Sequence, residues 1–194
     1  KRLLAYSSIA HAGYMMMGVV MLSSAGLQGI MFYTAAYLFM NLGAFLVVIV
    51  IARLMGSEEI SAYQGLGWRS PFIALAMTVF LFSLTGLPPT AGFIGKVYLF
   101  AAVVKGGLYW LAVVGVLNSA VSLYYYARII RTMYLDQPDT DSQIAIPGFA
   151  TATLAVLVAG TLILGVYWTP LAELTERSTA LFVSSAGNVQ ALVK

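Results

Sequence analysis

The fold is decided by a stretch near the middle of the chain, GLPPTAGFIGKVYLF, residues 86–100. It lies within an almost wholly apolar run, residues 70–104, which two prolines and three glycines interrupt. Pro88 and Pro89 each lack a backbone N–H and disfavour helical geometry in the residue before them. The sequence therefore predicts a hydrophobic helix that breaks here and resumes before Lys96, the one charged residue of the run.

The composition is that of an integral membrane protein. The chain has 194 residues, of which 61% are hydrophobic and 9% charged, and its mean hydropathy is +0.90. A soluble domain is usually about 25% charged. The absence of cysteine excludes disulfides and Cys-ligated iron–sulfur clusters. With one histidine and seven carboxylates we expect no metal site, and a net charge of +3 without basic clusters argues against nucleic-acid binding.

The apolar runs predict an all-α bundle with about five membrane passes, since a helix needs roughly 20 apolar residues to cross a bilayer. They are too long and too uniform for the alternating strands of a membrane barrel. The expected segments are 3–24, 29–54, the broken pair 70–87 and 90–104, 108–134 and 149–168. The loop 55–69 is expected to hold a short interfacial helix around Trp68, and residues 171–194 are expected to lie at a surface.

Positive charge predicts the orientation of the bundle. A hairpin of the first two helices gathers four cations at one end, which should be cytoplasmic: Lys1, Arg2, Arg53 and Arg69. If residues 70–104 cross once, Arg128 and Arg131 join them. If those residues cross twice, Lys105 joins them instead, and charge alone leaves both arrangements open.

A break beside a lysine favours an ion path. Unsatisfied backbone groups and charges are costly in hydrocarbon, and discontinuous helices and buried charges commonly mark ion or proton routes. A lysine in such a site could exchange a proton near neutral pH. The alternative is a turn at Gly86, Pro88 and Pro89 between two spans, with Lys96 reaching to the interface.

Other polar residues predict a seam through the bundle. Ser7, His11 and Tyr14 share one face of the first helix, and a histidine can relay protons near neutral pH. The second helix has a polar stripe with a spacing of four, Tyr33, Tyr37 and Asn41, that could line a water path. The segment 108–134 has a polar face that consists of Asn118, Ser119, Ser122 and residues 124–126. The alternative for each set is helix packing. The seam fits proton or cation movement better than covalent catalysis, because no nucleophile–base pair or paired carboxylates accompany it.

Three stretches carry a more specific resemblance: KRLLAYSSIAHAGYMMMG (1–18), SLTGLPPTAGFIGKVYLF (83–100) and NSAVSLYYYARIIRTMY (118–134). They resemble the antiporter-like membrane subunits of respiratory complex I. The resemblance implies a fourteen-helix fold with two inverted repeats, each with a broken helix and a buried lysine. Residues 1–134 would form most of the second repeat, and 135–194 a loop, the last membrane helix and a tail. The chain, which starts without methionine, is then expected to be a C-terminal fragment.

The resemblance also implies roles for single residues. Lys96 matches the titratable lysine of the second proton channel, which implies one crossing for residues 70–104. Lys1 matches a basic residue at the inner helix end that links to the neighbouring half-channel, and His11 falls at a proton-transfer position. Larger members of the family have histidines at positions 33 and 37 and a lysine at 41. Tyr33, Tyr37 and Asn41, with Ser7, are therefore expected to line a water path.

The implied function is that of a non-redox membrane subunit of a proton-translocating NADH:quinone oxidoreductase in the bacterial inner (plasma) membrane. Flavin, iron–sulfur clusters and quinone would belong to partner subunits, and this chain would hold no cofactor. Its partners would be the other membrane and peripheral subunits and the lipid bilayer. Two alternatives are a subunit of a multi-subunit cation/proton antiporter and a purely structural membrane scaffold.

Overall fold

The computed structural model describes residues 1–137 and 143–192, with side chains described up to residue 183. This part of the chain is helical and contains no strand, which confirms the all-α class. A 3-10 turn, Ile60–Tyr63, lies between the second and third helices. The α-helices are α1 (Arg2–Val20), α2 (Ser24–Met55), α3 (Leu66–Arg69), α4 (Pro71–Thr85), α5 (Ala91–Lys105), α6 (Tyr109–Tyr134), α7 (Gly148–Val166) and α8 (Thr169–Leu192).

Four of the described helices, α1, α2, α6 and α7, are long and apolar enough to cross a membrane. Helices α4 and α5 have 15 residues each. At 1.5 Å per residue each is about 22 Å long, which is short of the roughly 30 Å hydrocarbon core. Only joined end to end could these two halves provide the fifth pass.

The contacts with α2 show that α4 and α5 are joined in this way. They proceed in one direction, from the C-terminal half of α2 towards its N-terminus, through the pairs Phe80–Gly43, Ser83–Met40, Gly95–Tyr33 and Leu99–Gly29. A hairpin would bring α5 back alongside α4, and its contacts would return towards the C-terminus of α2. The two halves therefore make one broken crossing, as the resemblance implies.

The single crossing gathers the loop 56–70 and the described parts of the next loop, residues 135–137 and 143–147, at one end of the bundle. There Lys1, Arg2 and Arg128 line a common cleft with Glu58 and Glu59. The backbone N–H of Ile144 donates to the carbonyl of Arg69 at 3.2 Å, which ties the two loops together. Lys105 lies at the other end of the bundle, at the C-terminus of α5. By the positive-inside rule this basic end is expected to face the cytoplasm.

The turn between α1 and α2 differs from the sequence-based boundaries. The first helix was expected to run to Ser24 and the second to begin at Gly29, whereas α1 ends at Val20 and α2 begins at Ser24. The hydroxyl of Ser23 accepts a hydrogen bond from Gly26 N–H at 3.1 Å and caps α2. An apolar run does not reveal such a cap. The short helix expected around Trp68 is α3, and Trp68 is exposed.

The final helix, α8, packs against the N-terminal part of α2, at the end of the bundle opposite the basic loops. Gln28 Nε2 donates to Ala172 O at 3.3 Å, and Thr179 Oγ1 donates to the sulfur of Met31 at 3.7 Å. These contacts hold α8 against the N-terminal part of α2. The expected position of residues 171–194 at a surface stays a prediction.

Candidate functional site: the helix break and its buried lysine

The break occupies residues 86–90, between the end of α4 and the start of α5. Gly86 adopts the left-handed conformation, with φ of 87°, and its N–H donates to the carbonyl of Phe82 at 3.0 Å. This is an ordinary glycine C-cap, since glycine takes positive φ without steric cost. Pro88 and Pro89 follow and are joined by a cis peptide bond. The break thus falls at the glycine and prolines that the sequence indicated.

Two glycines pack closely against the backbone on either side of the break. Gly165 of α7 lies so close to Pro89 and Thr90 that a Cβ at this position would meet Thr90 Cα at 2.6 Å. Gly92 packs in the same way on the backbone of Ser83, and its N–H donates to Ser83 Oγ at 3.1 Å. Non-helical backbone at membrane depth is tolerated where protein buries it. Helix α7 covers the break on the side of Thr90, which is buried, while Pro88 and Pro89 are exposed.

Lys96 is 5% exposed and its side chain returns to the break. Its Nζ donates to Leu84 O at 3.1 Å, to Thr85 O at 2.7 Å and to Ser119 Oγ at 2.9 Å. The two carbonyls belong to the last turn of α4, where backbone acceptors have no partner within the helix. That end also has the negative pole of the helix dipole. Lys96 therefore caps the first half of the broken helix with an ammonium group.

Tyr14 completes the surroundings of the lysine. Nζ lies 4.5 Å from the centroid of the Tyr14 ring, which is within range of a cation–π interaction. The Tyr14 hydroxyl is 2.8 Å from Ser119 Oγ, accepts from Asn118 Nδ2 at 3.1 Å and donates to Gly115 O at 3.1 Å. One tyrosine thus contacts the ammonium through its ring and α6 through its hydroxyl.

The electrostatics of this site depend on dipoles rather than on a counter-ion. Among the described helices, α1, α2 and α4 to α7 contain no aspartate or glutamate. The carbonyls of α4, the hydroxyl of Ser119 and the face of Tyr14 surround the ammonium in place of a carboxylate. Such a site can hold a proton on nitrogen without fixing it in an ion pair.

His11 extends the site along α1. The side chain is 2% exposed, and its Nδ1 lies 2.6 Å from the hydroxyl of Tyr33. Its ring centroid is 5.2 Å from that of Tyr37 and 5.8 Å from that of Tyr14. The structure therefore brings His11, Tyr33 and Tyr37 together and joins them to the lysine through Tyr14.

Other expected residues lie further towards the basic end. Ser7 is buried and hydrogen-bonds to the hydroxyl of Tyr126, while Asn41 is half-buried one turn beyond Tyr37 on α2. Lys1 lies ten residues before His11, about 15 Å along the helix. Its side chain is 54% exposed and forms an ion pair with Glu58 at 2.8 Å. The structure does not bring Lys1 into contact with the buried seam.

Sequence reasoning did not single out three contributors to the site. The sequence places Ser119 and Tyr14 only on polar helix faces, for which helix packing is the alternative. The role of Gly165 in covering the break was not foreseen at all. Polarity on an inward face was the available signal for Ser119, but the sequence does not give the register between α5 and α6.

Comparison with known families now gives this arrangement a context. Residues 1–122 match the family model described as NADH:quinone oxidoreductase/Mrp antiporter, TM. The chain belongs to this family. The matched residues include α1, α2, both halves of the broken helix and the part of α6 that contains Ser119.

Individual relatives agree. The chain is 53% identical over 185 residues to NADH-quinone oxidoreductase subunit N 2 of Sorangium cellulosum, a match that covers 93% of this chain and 37% of the relative. It resembles a chain in respiratory complex I from Thermus thermophilus, with a TM-score of 0.74, 32% identity and coverage of 89% and 39%. A chain of the Mrp complex from Dietzia sp. has a TM-score of 0.85 at 23% identity, with coverage of 98% and 44%, and shares the fold. The chain thus spans less than half the length of these relatives.

Proposed function

We propose that this chain is the C-terminal portion of subunit N of a complex I-type NADH:quinone oxidoreductase. In the bacterial inner (plasma) membrane it translocates protons, coupled to electron transfer from NADH to quinone in partner subunits. The buried Lys96 at the break, held without a carboxylate, is the observation that carries the proposal. Residues 1–134 provide most of one antiporter-like repeat, and 135–194 the last membrane helix and tail.

The polar residues take successive positions along this path. Lys96 holds and releases the proton, and His11 is the next titratable group, connected through Tyr14. Tyr33, Tyr37, Asn41 and Ser7 line the path towards the basic end and order water there. Lys1, paired with Glu58 at the cytoplasmic rim, links this path to its surroundings. No step requires a redox group in this chain, so flavin, iron–sulfur clusters and quinone belong to other membrane and peripheral subunits.

Two lysines on one helix provide a matched test. Lys96→Ala and Lys105→Ala each remove one ammonium from α5, the first buried and the second exposed. The variants belong in the full-length subunit within its native complex. NADH oxidation and the pH gradient would be measured together in membrane vesicles, with and without Na⁺, and expressed per assembled complex.

Lys96→Ala is expected to lower coupled pumping at least about tenfold, because an isolated methyl group cannot exchange a proton. Lys105→Ala should leave both readouts unchanged. A normal gradient in assembled Lys96→Ala complexes would rule out this role for the lysine. A gradient that requires Na⁺ and persists without any flavin or iron–sulfur partner would favour the cation/proton antiporter instead.

A further inference from the structure

The three hydrogen bonds of Lys96 have unequal partners. Two acceptors are backbone carbonyls, those of Leu84 and Thr85, and the third is the hydroxyl of Ser119. An ammonium group has three N–H donors and no acceptor. Three acceptors at 2.7–3.1 Å therefore satisfy the protonated form completely.

The neutral amine poses a different problem. After the loss of one proton the nitrogen has two N–H donors and one lone pair, so one of the three bonds can persist only if its direction reverses. A carbonyl oxygen accepts but never donates, whereas a hydroxyl does both. Ser119 is therefore the one partner among the three that can donate to the lone pair.

The hydroxyl of Tyr14 can follow this reversal. While Lys96 is protonated, Ser119 accepts from Nζ and its own hydrogen can point to the Tyr14 hydroxyl, 2.8 Å away. When the hydrogen of Ser119 turns to the lone pair of Lys96, Ser119 Oγ can accept from Tyr14 instead. The Tyr14 hydrogen then leaves Gly115 O, its other acceptor at 3.1 Å. Both states keep three hydrogen bonds to Nζ.

We propose that Ser119 is a positioning residue for Lys96, and that its hydroxyl reverses its hydrogen bond to Nζ each time that nitrogen gains or loses a proton. The proton itself passes between Nζ and a water molecule, and no covalent bond of Ser119 changes in the net step. The inference rests on the proposed role of Lys96. It adds that the rate of proton exchange depends on a hydroxyl supplied by α6.

Substitutions at position 119 distinguish the effect of the hydroxyl group from the effect of side-chain volume. Ser119→Ala removes the hydroxyl, and Ser119→Cys keeps a side chain of similar size but hydrogen-bonds only weakly. Ser119→Thr retains the hydroxyl. Ser122→Ala is the matched control, because Ser122 lies one turn further along α6 and its hydroxyl donates to the backbone carbonyl of Ser119 at 2.7 Å.

Each variant would be measured in the native complex in vesicles, from pH 6 to 9, beside wild type and Lys96→Ala. Ser119→Ala and Ser119→Cys are expected to pump at least about tenfold more slowly per assembled complex at every pH. A tenfold change corresponds to the free energy of about one lost hydrogen bond to a charged group. Ser119→Thr should stay within about threefold of wild type, and Ser122→Ala should be unchanged. A packing role would not distinguish cysteine from threonine in this way.

Pumping by Ser119→Ala or Ser119→Cys within about twofold of wild type would overturn the inference. So would a Ser119→Thr variant as slow as Ser119→Ala. Either result together with a loss of pumping in Lys96→Ala would leave the proposed function standing. Normal pumping in Lys96→Ala would remove the proposed function and the inference together.

Discussion

The two lysines of α5 lie nine residues apart on one helix and have opposite surroundings. Lys105 is exposed in the last turn, where a cation is favourable to the helix dipole. Lys96 is buried near the start of α5, where the dipole of its own helix is unfavourable to a cation. The break offsets this conflict, because it places the C-terminal carbonyls of α4 beside the same ammonium group.

The comparison shows that the two halves of a broken helix act together on one charge. Without the break, the carbonyls of Leu84 and Thr85 would accept from the next turn of a continuous helix and would be unavailable to Lys96. Gly86 lets the chain turn away, and Gly165 of α7 packs closely against Pro89 and Thr90. The break is therefore part of the lysine site rather than a neighbouring feature.

The largest effect on this arrangement is expected from Gly86→Ala. A Cβ at position 86 would meet Cδ of Lys96 at 2.7 Å and displace the lysine from its carbonyl partners. Gly107→Ala is the matched control, since Gly107 also has positive φ but has no atom within 4 Å of such a Cβ. Both changes share a backbone strain of about 1–2 kcal/mol. Pumping in vesicles should fall at least about tenfold in the first variant only.

Equal losses in the two glycine variants would mean that backbone strain, not contact with Lys96, explains the result. In that case the break would act only as a turn. The surroundings of Lys96 and Lys105 would then differ less in their effect on pumping than the structure indicates.

A smaller effect is expected at Tyr14, whose ring and hydroxyl can be tested apart. Tyr14→Leu removes the ring that lies 4.5 Å from Nζ, an interaction of about 2 kcal/mol at a desolvated site. Pumping per assembled complex should fall about tenfold. Tyr14→Phe keeps the ring face and should stay within about threefold of wild type. If phenylalanine is as damaging as leucine, the hydroxyl network to α6 outweighs the contact with the ammonium.

Much of the fold follows from the sequence. Long apolar runs and an adjacent pair of prolines predict the helices and the break without any structure. The lone lysine favours a buried charge but leaves open a lysine that reaches the interface. Spacing on α1 correctly turns Ser7, His11 and Tyr14 towards the interior. These features are local, because each depends on residues within a few turns of one another.

The partners of Lys96 could not be predicted in the same way. Ser119 lies 23 residues further along the chain, and which turn of α6 faces the break depends on how two apolar helices slide against each other. Gly165 is still more distant and meets the break only through the packing of α7. Composition predicts that a buried lysine needs partners, but tertiary packing decides which ones.

A smaller effect again is expected at Lys1, whose side chain lies at the basic end of the bundle, outside the buried seam. The hydrogen bond from Lys1 holds the pKa of Glu58 below its ordinary value of 4.5. The pair therefore contributes fully above that ordinary value and is lost only as pH falls through the lower pKa in the folded protein. Between pH 6 and 9 the ion pair stays intact, so any effect of Lys1→Gln should not depend on pH.

Because both side chains are about half exposed, salt should screen the effect of Lys1→Gln. We expect proton pumping to fall no more than about threefold at low ionic strength and to recover towards wild type as salt is added. Glu58→Gln is the matched control for the pair, since it leaves Lys1 charged. A tenfold, salt-independent loss in Lys1→Gln alone would instead place Lys1 in the same class as Lys96. The distinction between a buried proton carrier and an exposed rim charge would then no longer hold.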